Sequence, residues 1–348
     1  MLFSIYLPRK NNIIDIKINP VFAFCLLIVY NFSINYNSLF MQPELSLILP
    51  IYNEAENITE LYRRSKLVLE KIGTYEIIFI NDCSRDNSLS QLKLLSEKDA
   101  TIKIIDFSRN FGHQIAITAG IDYAEGKAVI IMDSDLQDTP ETISEMVLKW
   151  KVGFDVVYGK RRTRKDTFFK KITALCFYRI LKKFANIEIP EDTGDFRLMD
   201  RKVILEMRKM REHSRFMRGM TSWVGFKQTA VLFDRQKRKF GKTNYPLRKM
   251  LKLSMDALTS FSYIPLKLAT YLGFTVAVFS LFGIIYAIIR KEFFSNAVVS
   301  GWTFLAIAIL FLGSIQLFVL GIIGEYIGRI YTETQGRPLY VIKERVNF

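Results

Sequence analysis

Asp133, Ser134, Asp135, Gln137 and Asp138 follow directly on the short apolar run 128–132, Ala-Val-Ile-Ile-Met. Acids at that spacing can do metal-assisted chemistry. Positions two apart on an extended chain point the same way, so Asp133 and Asp135 can present two carboxylates together. Hard oxygen ligands suit Mg²⁺ or Mn²⁺, which keep part of their water and lean on the oxygens of a diphosphate. The competing account is a solvated strand-to-helix turn, where Asp and Ser serve as caps.

Several elements must position these acids. Residues 128–132 read as a buried strand with no polar face, and Pro140 opens a helix after it. Upstream, residues 45–49, 75–80 and 102–107 read as further strands. Helical spacing over 57–72 and 88–98, and a small-residue helix reaching Gly120, separate them. Residues 155–158 give one more strand. Strands alternating with helices predict an α/β fold with a mostly parallel sheet and right-handed crossovers. Each strand ends in polar residues, so the clusters at 50–54, 81–86, 108–114 and 133–138 should share one rim. In an open parallel sheet that rim is where ligands bind.

Net charge narrows the setting. The 348 residues carry a formal charge of +15, which points to nucleic acid or an anionic membrane surface. Hydropathy decides for the membrane. No charged residue falls in 268–289 or in 293–324, and each run is long enough to cross ~30 Å of hydrocarbon as a helix. Lys and Arg are denser before the first run and after the second than between them, which puts the large domain in the cytoplasm. Basic residues 235–239 abut this hairpin, so lipid headgroups explain them better than RNA. Residues 166–185 and 246–262 have apolar positions at helical spacing with basic residues between, as interfacial helices do. The division expected is an extension at 1–40, a catalytic domain at 41–245, a juxtamembrane amphipathic helix at 246–264, two spans within 265–325 and a cytoplasmic segment at 326–348. Cys25, Cys83 and Cys176 show neither pairing nor metal spacing. His113 reads as a structural histidine in a rim loop, and Trp223 as core.

Pro50-Ile-Tyr-Asn-Glu54, Asn81-Asp82, Asp133-Ser-Asp135 with Gln137, and Asp192-Thr-Gly-Asp-Phe-Arg197 occur in that order. On this set the chain resembles the family-2 glycosyltransferases, and within them the polyprenyl-phosphate glycosyltransferases. The resemblance runs from about residue 45 onward and implies a GT-A-type nucleotide-sugar-binding domain with a transmembrane helix hairpin. It implies that Pro50, Tyr52, Asn53, Glu54, Asn81 and Asp82 bind the donor nucleotide. It also implies that Asp135 and Gln137 bind Mg²⁺ or Mn²⁺, with Asp133 against the donor. Asp192 and Asp195 then orient the acceptor or give weak base help. Residues 238–245 match a loop written Arg-x-x-Gly-x-Ser/Thr-Lys-Tyr, with Asn244 at the Lys position.

A lipid phosphate has a second pKa near ~6, so it needs guanidinium groups to position it more than a base to activate it. Arg161, Arg164, Arg197 and Arg238 are the arginines for that task. The activity implied is inverting transfer of a hexose from a UDP-sugar, UDP-glucose foremost, to undecaprenyl or a related polyprenyl phosphate at the inner (plasma) membrane. The partners implied are the UDP-sugar, the polyprenyl phosphate and membrane lipid, with no nucleic acid and a homo-oligomer, a tetramer. Transfer of mannose, galactose or a modified arabinose is the alternative within the class. A non-catalytic membrane scaffold for lipid-linked sugar export is the alternative outside it.

Overall fold

The computed structural model describes residues 3–9, 12–18, 42–162, 190, 193–234, 236, 264–293 and 301–348. The expected helices at 166–185 and 246–262, and the apolar run at 21–30, lie outside them. Two compact units are present, Met1–Pro43 and Glu44–Phe348. In the first, β1 (Phe3–Arg9) pairs antiparallel with β2 (Asn12–Ile18), Phe3 opposite Ile18. Neither strand of this hairpin is among the elements expected from the sequence.

The second unit is built on an eight-stranded mixed sheet. Its strands are β3 (Leu45–Ile51), β4 (Tyr75–Asn81), β5 (Ile102–Phe107), β6 (Ala128–Ile131), β7 (Val156–Arg161), β8 (Thr193–Asp200), β9 (Gln228–Phe233) and β10 (Ile342–Val346). Their order is β10-β5-β4-β3-β6-β8-β7-β9. Pairs β3–β4, β4–β5, β3–β6 and β7–β9 are parallel, whereas β8 runs antiparallel to both β6 and β7, and β10 antiparallel to β5. The fold is therefore of GT-A type, a Rossmann-like sheet that is mostly parallel.

Side chains alternate between two cores, as the pleat requires. Leu47, Leu49, Ile77 and Phe79 face α1 (Ala55–Leu69), α2 (Ser88–Ser96) and α4 (Thr142–Lys151). Ile48, Ile78, Ile80 and Ile131 face α3 (His113–Tyr123), α5 (Arg201–Lys209) and α6 (Met217–Trp223). With helices on both faces, all seven residues of β3 are buried. That explains why six of its seven residues are apolar and why the seventh, Ser46, donates its hydroxyl to Glu76. α3 sits especially close: a Cβ added at Gly120 would overlap Ile48 Cγ2.

Beyond the sheet come α7 (Ile264–Phe293) and α8 (Gly301–Thr334), which pack against each other. Among the described residues α8 supplies the stretch long and apolar enough to cross a membrane, Ala308–Thr334, and α7 a shorter one, Ala269–Gly283. α8 runs past residue 325, the expected end of the second span. The chain then turns at Gly336, in the left-handed region, and returns to the sheet as β10. Tyr340 stacks on Phe107 at 5.3 Å between ring centroids and donates its hydroxyl to Asp122 Oδ2 at 2.7 Å. Trp223, expected in the core, is 63% exposed because α6 ends there at the surface.

Candidate active site

The sheet changes direction of winding at β3. From it the chain proceeds outward to β4 and β5, then returns to place β6 on the other side. A crevice opens at such a switch point, outside the carboxyl ends of β3 and β6. Four rim segments meet there.

After β3, Asn53 adopts a left-handed backbone (φ 55°), which Asn tolerates better than most residues. Its N–H donates to Ser84 Oγ at 3.0 Å, and its Oδ1 accepts from the Arg85 N–H at 2.7 Å. The Glu54 N–H donates to Ser88 Oγ, while its carboxylate accepts from Asn57. Pro50 is buried within β3, and Tyr52 is exposed. Asp82 binds the next segment, accepting from the N–H groups of Phe111 at 2.7 Å and Gly112 at 2.9 Å. Burial pushes the Asp82 carboxyl up from its ordinary value, and these two donors pull partly against that. Asn81 works inside the rim: its Nδ2 donates to Asp106 Oδ1 at 2.7 Å and ties β4 to β5.

The acids expected to act lie beyond β6. The extended backbone stops at Ile131, so the shared direction of positions two apart does not carry through Asp133 and Asp135. The chain turns, with Leu136 at φ 58°. Asp135 is buried, its Oδ1 accepting from the Gln137 N–H at 3.1 Å, and Gln137 Nε2 reaches the Gln236 carbonyl at 3.5 Å. Asp133 turns instead to His113, whose Nε2 lies 3.3 Å from Asp133 Oδ1 and 3.4 Å from Asp195 Oδ2.

Asp195, on β8, is the most heavily held acid of the site. Gln114 Nε2 donates to its Oδ2 at 2.9 Å and Arg218 Nε to its Oδ1 at 3.0 Å. Burial alone would raise its pKa, but the charges of Arg218, His113 and Arg197 hold it well below the ordinary carboxylate value. Asp133 is lowered too, burial again being outweighed by His113. Burial works against the imidazolium, yet contact with both acids pushes His113 up to about 10.

His113 is therefore no bland rim residue, and neither Gln114 nor Arg218 stands out in the sequence as a site residue. The polar run 108–114 is a signal for the first two. Arg218 lies on a short helix with no motif to mark it. Of the arginines expected to hold acceptor phosphate, Arg197 is buried and donates to the carbonyls of Gly194, Asp195 and Met217. Those bonds join β8 to α6. Arg161 closes β7, and Gly194 leaves room beside its guanidinium. Arg164, Asp192 and Arg238 lie outside the described residues.

Asp133 Oδ1 gives the cluster its chemical interest. The His113 contact is an ion pair rather than an aligned hydrogen bond, so this oxygen is buried with no hydrogen-bond partner. The cation it faces in this structure is the His113 imidazolium. No group of three or more His, Cys, Asp or Glu side chains poised for a metal occurs among the described residues. Mg²⁺ sites completed by substrate phosphate commonly offer only one or two carboxylates, so the donor set fits such an ion.

Comparison with known families and proteins identifies the family. Residues 46–208 match Glycosyl transferase family 2, and residues 264–330 match the GtrB C-terminal hairpin. An uncharacterized glycosyltransferase, YkcC, of Bacillus subtilis (strain 168) is 52% identical over 301 residues, 86% of this chain and 93% of that protein. A prophage bactoprenol glucosyl transferase homolog of Escherichia coli (strain K12) is 41% identical over 303 residues, 86% of this chain and 98% of that protein. Among solved structures, glucosyl-3-phosphoglycerate synthase from Mycobacterium tuberculosis aligns with a TM-score of 0.44 at 16% identity, covering 63% of this chain and 80% of that one. That likeness is too loose to add weight. The two close relatives match over nearly their whole lengths, and this chain belongs to glycosyl transferase family 2 as a glycosyltransferase that carries the GtrB C-terminal hairpin.

Proposed function

We propose that this glycosyltransferase moves glucose from UDP-glucose onto a polyprenyl phosphate, with inversion, at the cytoplasmic face of the inner membrane. The observation that carries the reading is the convergence of Asp133 and Asp195 on His113 at the switch point of a family 2 sheet. The relative named for bactoprenol glucosyl transfer supports both sugar and lipid. The exposed apolar flank of α8, with Leu310, Leu317 and Leu320 all more than half exposed, supports a bilayer setting.

In this reading Asp135 and Gln137 hold a divalent cation, Mg²⁺ or Mn²⁺, while Asp133, two residues earlier, is engaged by His113. Such an ion, when bound, offsets the charge that builds on a departing diphosphate. The chain's own residues do the rest. Pro50, Tyr52, Asn53, Glu54, Asn81 and Asp82, on the rim after β3 and β4, bind the nucleotide. A lipid phosphate oxygen attacks the anomeric carbon as the bond to UDP breaks, and UDP leaves with the electron pair. Asp195, kept anionic by Arg218 and His113, is a poor base. Its task is to fix the imidazolium and Gln114 beside the acceptor, which is already mostly dianionic near neutral pH.

The test uses the full chain in lipid nanodiscs with undecaprenyl phosphate and a panel of UDP-glucose, UDP-galactose, GDP-mannose and a UDP-linked modified arabinose, scored by the mass of the lipid product. A hexosyl lipid from UDP-glucose, lost in Asp135→Ala together with stabilisation by UDP plus Mg²⁺, is the expected outcome. Failure of every donor to yield a lipid-linked sugar, or full turnover by Asp135→Ala, would sink it.

A further inference from the structure

A second cleft lies behind the catalytic cluster. It encloses about 530 Å³ between Gln114 and Ile115 at the start of α3, Ser214 and Arg215 on the segment before α6, and Arg329 and Thr332 near the end of α8. Its two ends are chemically distinct. Gln114 reaches Asp195 through its amide and accepts from the Met217 N–H at 2.9 Å. Arg329 and Thr332 belong to the membrane-length stretch of α8.

Charge in this cleft is mostly compensated. Arg329 bonds Glu325 at 3.1 Å, and His213 Nδ1 lies 3.0 Å from Glu333 Oε2. Arg215 is the exception. It is 7% exposed, its Nε is buried without a hydrogen-bond partner, and no carboxylate of the described residues comes within ion-pair distance of it. Among the described residues its guanidinium makes one hydrogen bond, from Nη1 to the Met210 carbonyl at 2.5 Å, at the C-terminus of α5. A helix end offers about half an elementary charge, which leaves the guanidinium only partly compensated. Burying a full charge in that condition is unfavourable unless an anion completes it. Burial accordingly lowers its hold on its own proton.

From this we infer that Arg215 is an acceptor-binding residue: the cleft takes a phosphate monoester, that of the polyprenyl acceptor, with the prenyl chain laid along α8. The inference rests on the acceptor reading above and extends it to a residue outside the family motifs. A guanidinium matches phosphate oxygens with paired donors, and Thr332 and Ser214 add hydroxyl groups to the lining of the same cleft. The geometry also supplies a path. Arg215 is two residues from Met217, whose N–H bonds Gln114, and Gln114 bonds the acid beside the donor crevice.

The experiment compares wild type, Arg215→Lys and Arg215→Gln as full chains in nanodiscs, with KM measured separately for donor and lipid phosphate. The acceptor KM should rise by about ten- to a hundredfold in Arg215→Gln and less in Arg215→Lys, with donor KM close to wild type. Inorganic phosphate should compete with the acceptor in wild type and lose that effect in Arg215→Gln. Unchanged acceptor KM in both variants, with wild type active, overturns the proposal while the function stands; an inactive wild type fells both. A defect that vanishes when phosphatidylglycerol is replaced by phosphatidylcholine assigns the cleft to bilayer headgroups, and also overturns it. Should Arg215→Gln lose stabilisation by UDP and so prove misfolded, a photo-crosslinking residue placed at Thr332 decides. It should capture labelled polyprenyl phosphate, and no adduct overturns the proposal.

Discussion

His113 Nε2 lies 3.4 Å from Asp195 Oδ2, although the two residues stand on α3 and on β8, in separate parts of the sequence. The same nitrogen lies 3.3 Å from Asp133, so one imidazolium separates two acids that would otherwise repel. Removing it should damage the chemical step. His113→Ala is expected to lower kcat by about a hundredfold or more, the scale of losing one preorganised charge from such a site. His113→Gln, which keeps a donor but no charge, should fall between. Steady-state kinetics with both substrates saturating checks this, and a kcat within twofold of wild type in His113→Ala would remove His113 from the catalytic cluster.

Asp82 holds the 111–112 backbone with both carboxylate oxygens. An amide has one acceptor to offer in place of two, so Asp82→Asn strands a backbone donor at a cost of about 1–3 kcal/mol. The expected result is a lower melting temperature and a raised donor KM, with acceptor KM unchanged. Thermal melting with and without UDP separates the two effects.

Gly120 permits α3 to lie against β3 and β4, where a Cβ would meet Ile48 and Ile80. Gly120→Ala should destabilise by about 1–3 kcal/mol through overpacking. Because His113 and Gln114 begin the same helix, a shift of α3 should also reduce kcat. A variant that melts early yet turns over normally would show that the helix moves without carrying its first turn.

Asp99 accepts hydrogen bonds from Lys66 at 2.7 Å, from Tyr62 at 2.7 Å and from Thr101. Burial would raise its pKa, but these donors hold it far below the ordinary carboxylate range. A depressed folded pKa contributes stability that is present above the unfolded value of about 3.9 and is lost as pH falls toward the folded one. The melting temperature of wild type should therefore drop more steeply than that of Asp99→Asn below about pH 5, and the two curves should converge in acid. Parallel curves across that range would contradict the assignment.

Much of the scaffold is legible in the order of residues alone. β3, β4 and β5 announce themselves as apolar runs closed by polar clusters, and their observed bounds differ from the expected ones by two residues at most. The four rim clusters meet because a parallel sheet brings carboxyl ends together. The partners of Asp195 are not legible, since Gln114 and Arg218 reach it from other elements and local periodicity carries no information about tertiary pairing. Asn81 shows the same limit: its motif position does not reveal that its amide donates to Asp106. β10 stays hidden because its Ile-Lys-Glu-Arg-Val sequence is mostly charged, as suits a short strand at the border of a sheet.

That border strand has a consequence for biogenesis. β5 ends at Phe107 and its neighbour β10 begins only at Ile342, with α7 and α8 between them. At a translation rate of ~5–20 residues per second, β5 waits roughly ten to fifty seconds for its partner. Its flank stays open to wrong neighbours until both hairpin helices have left the ribosome, so the sheet is sealed only after the hairpin has been made.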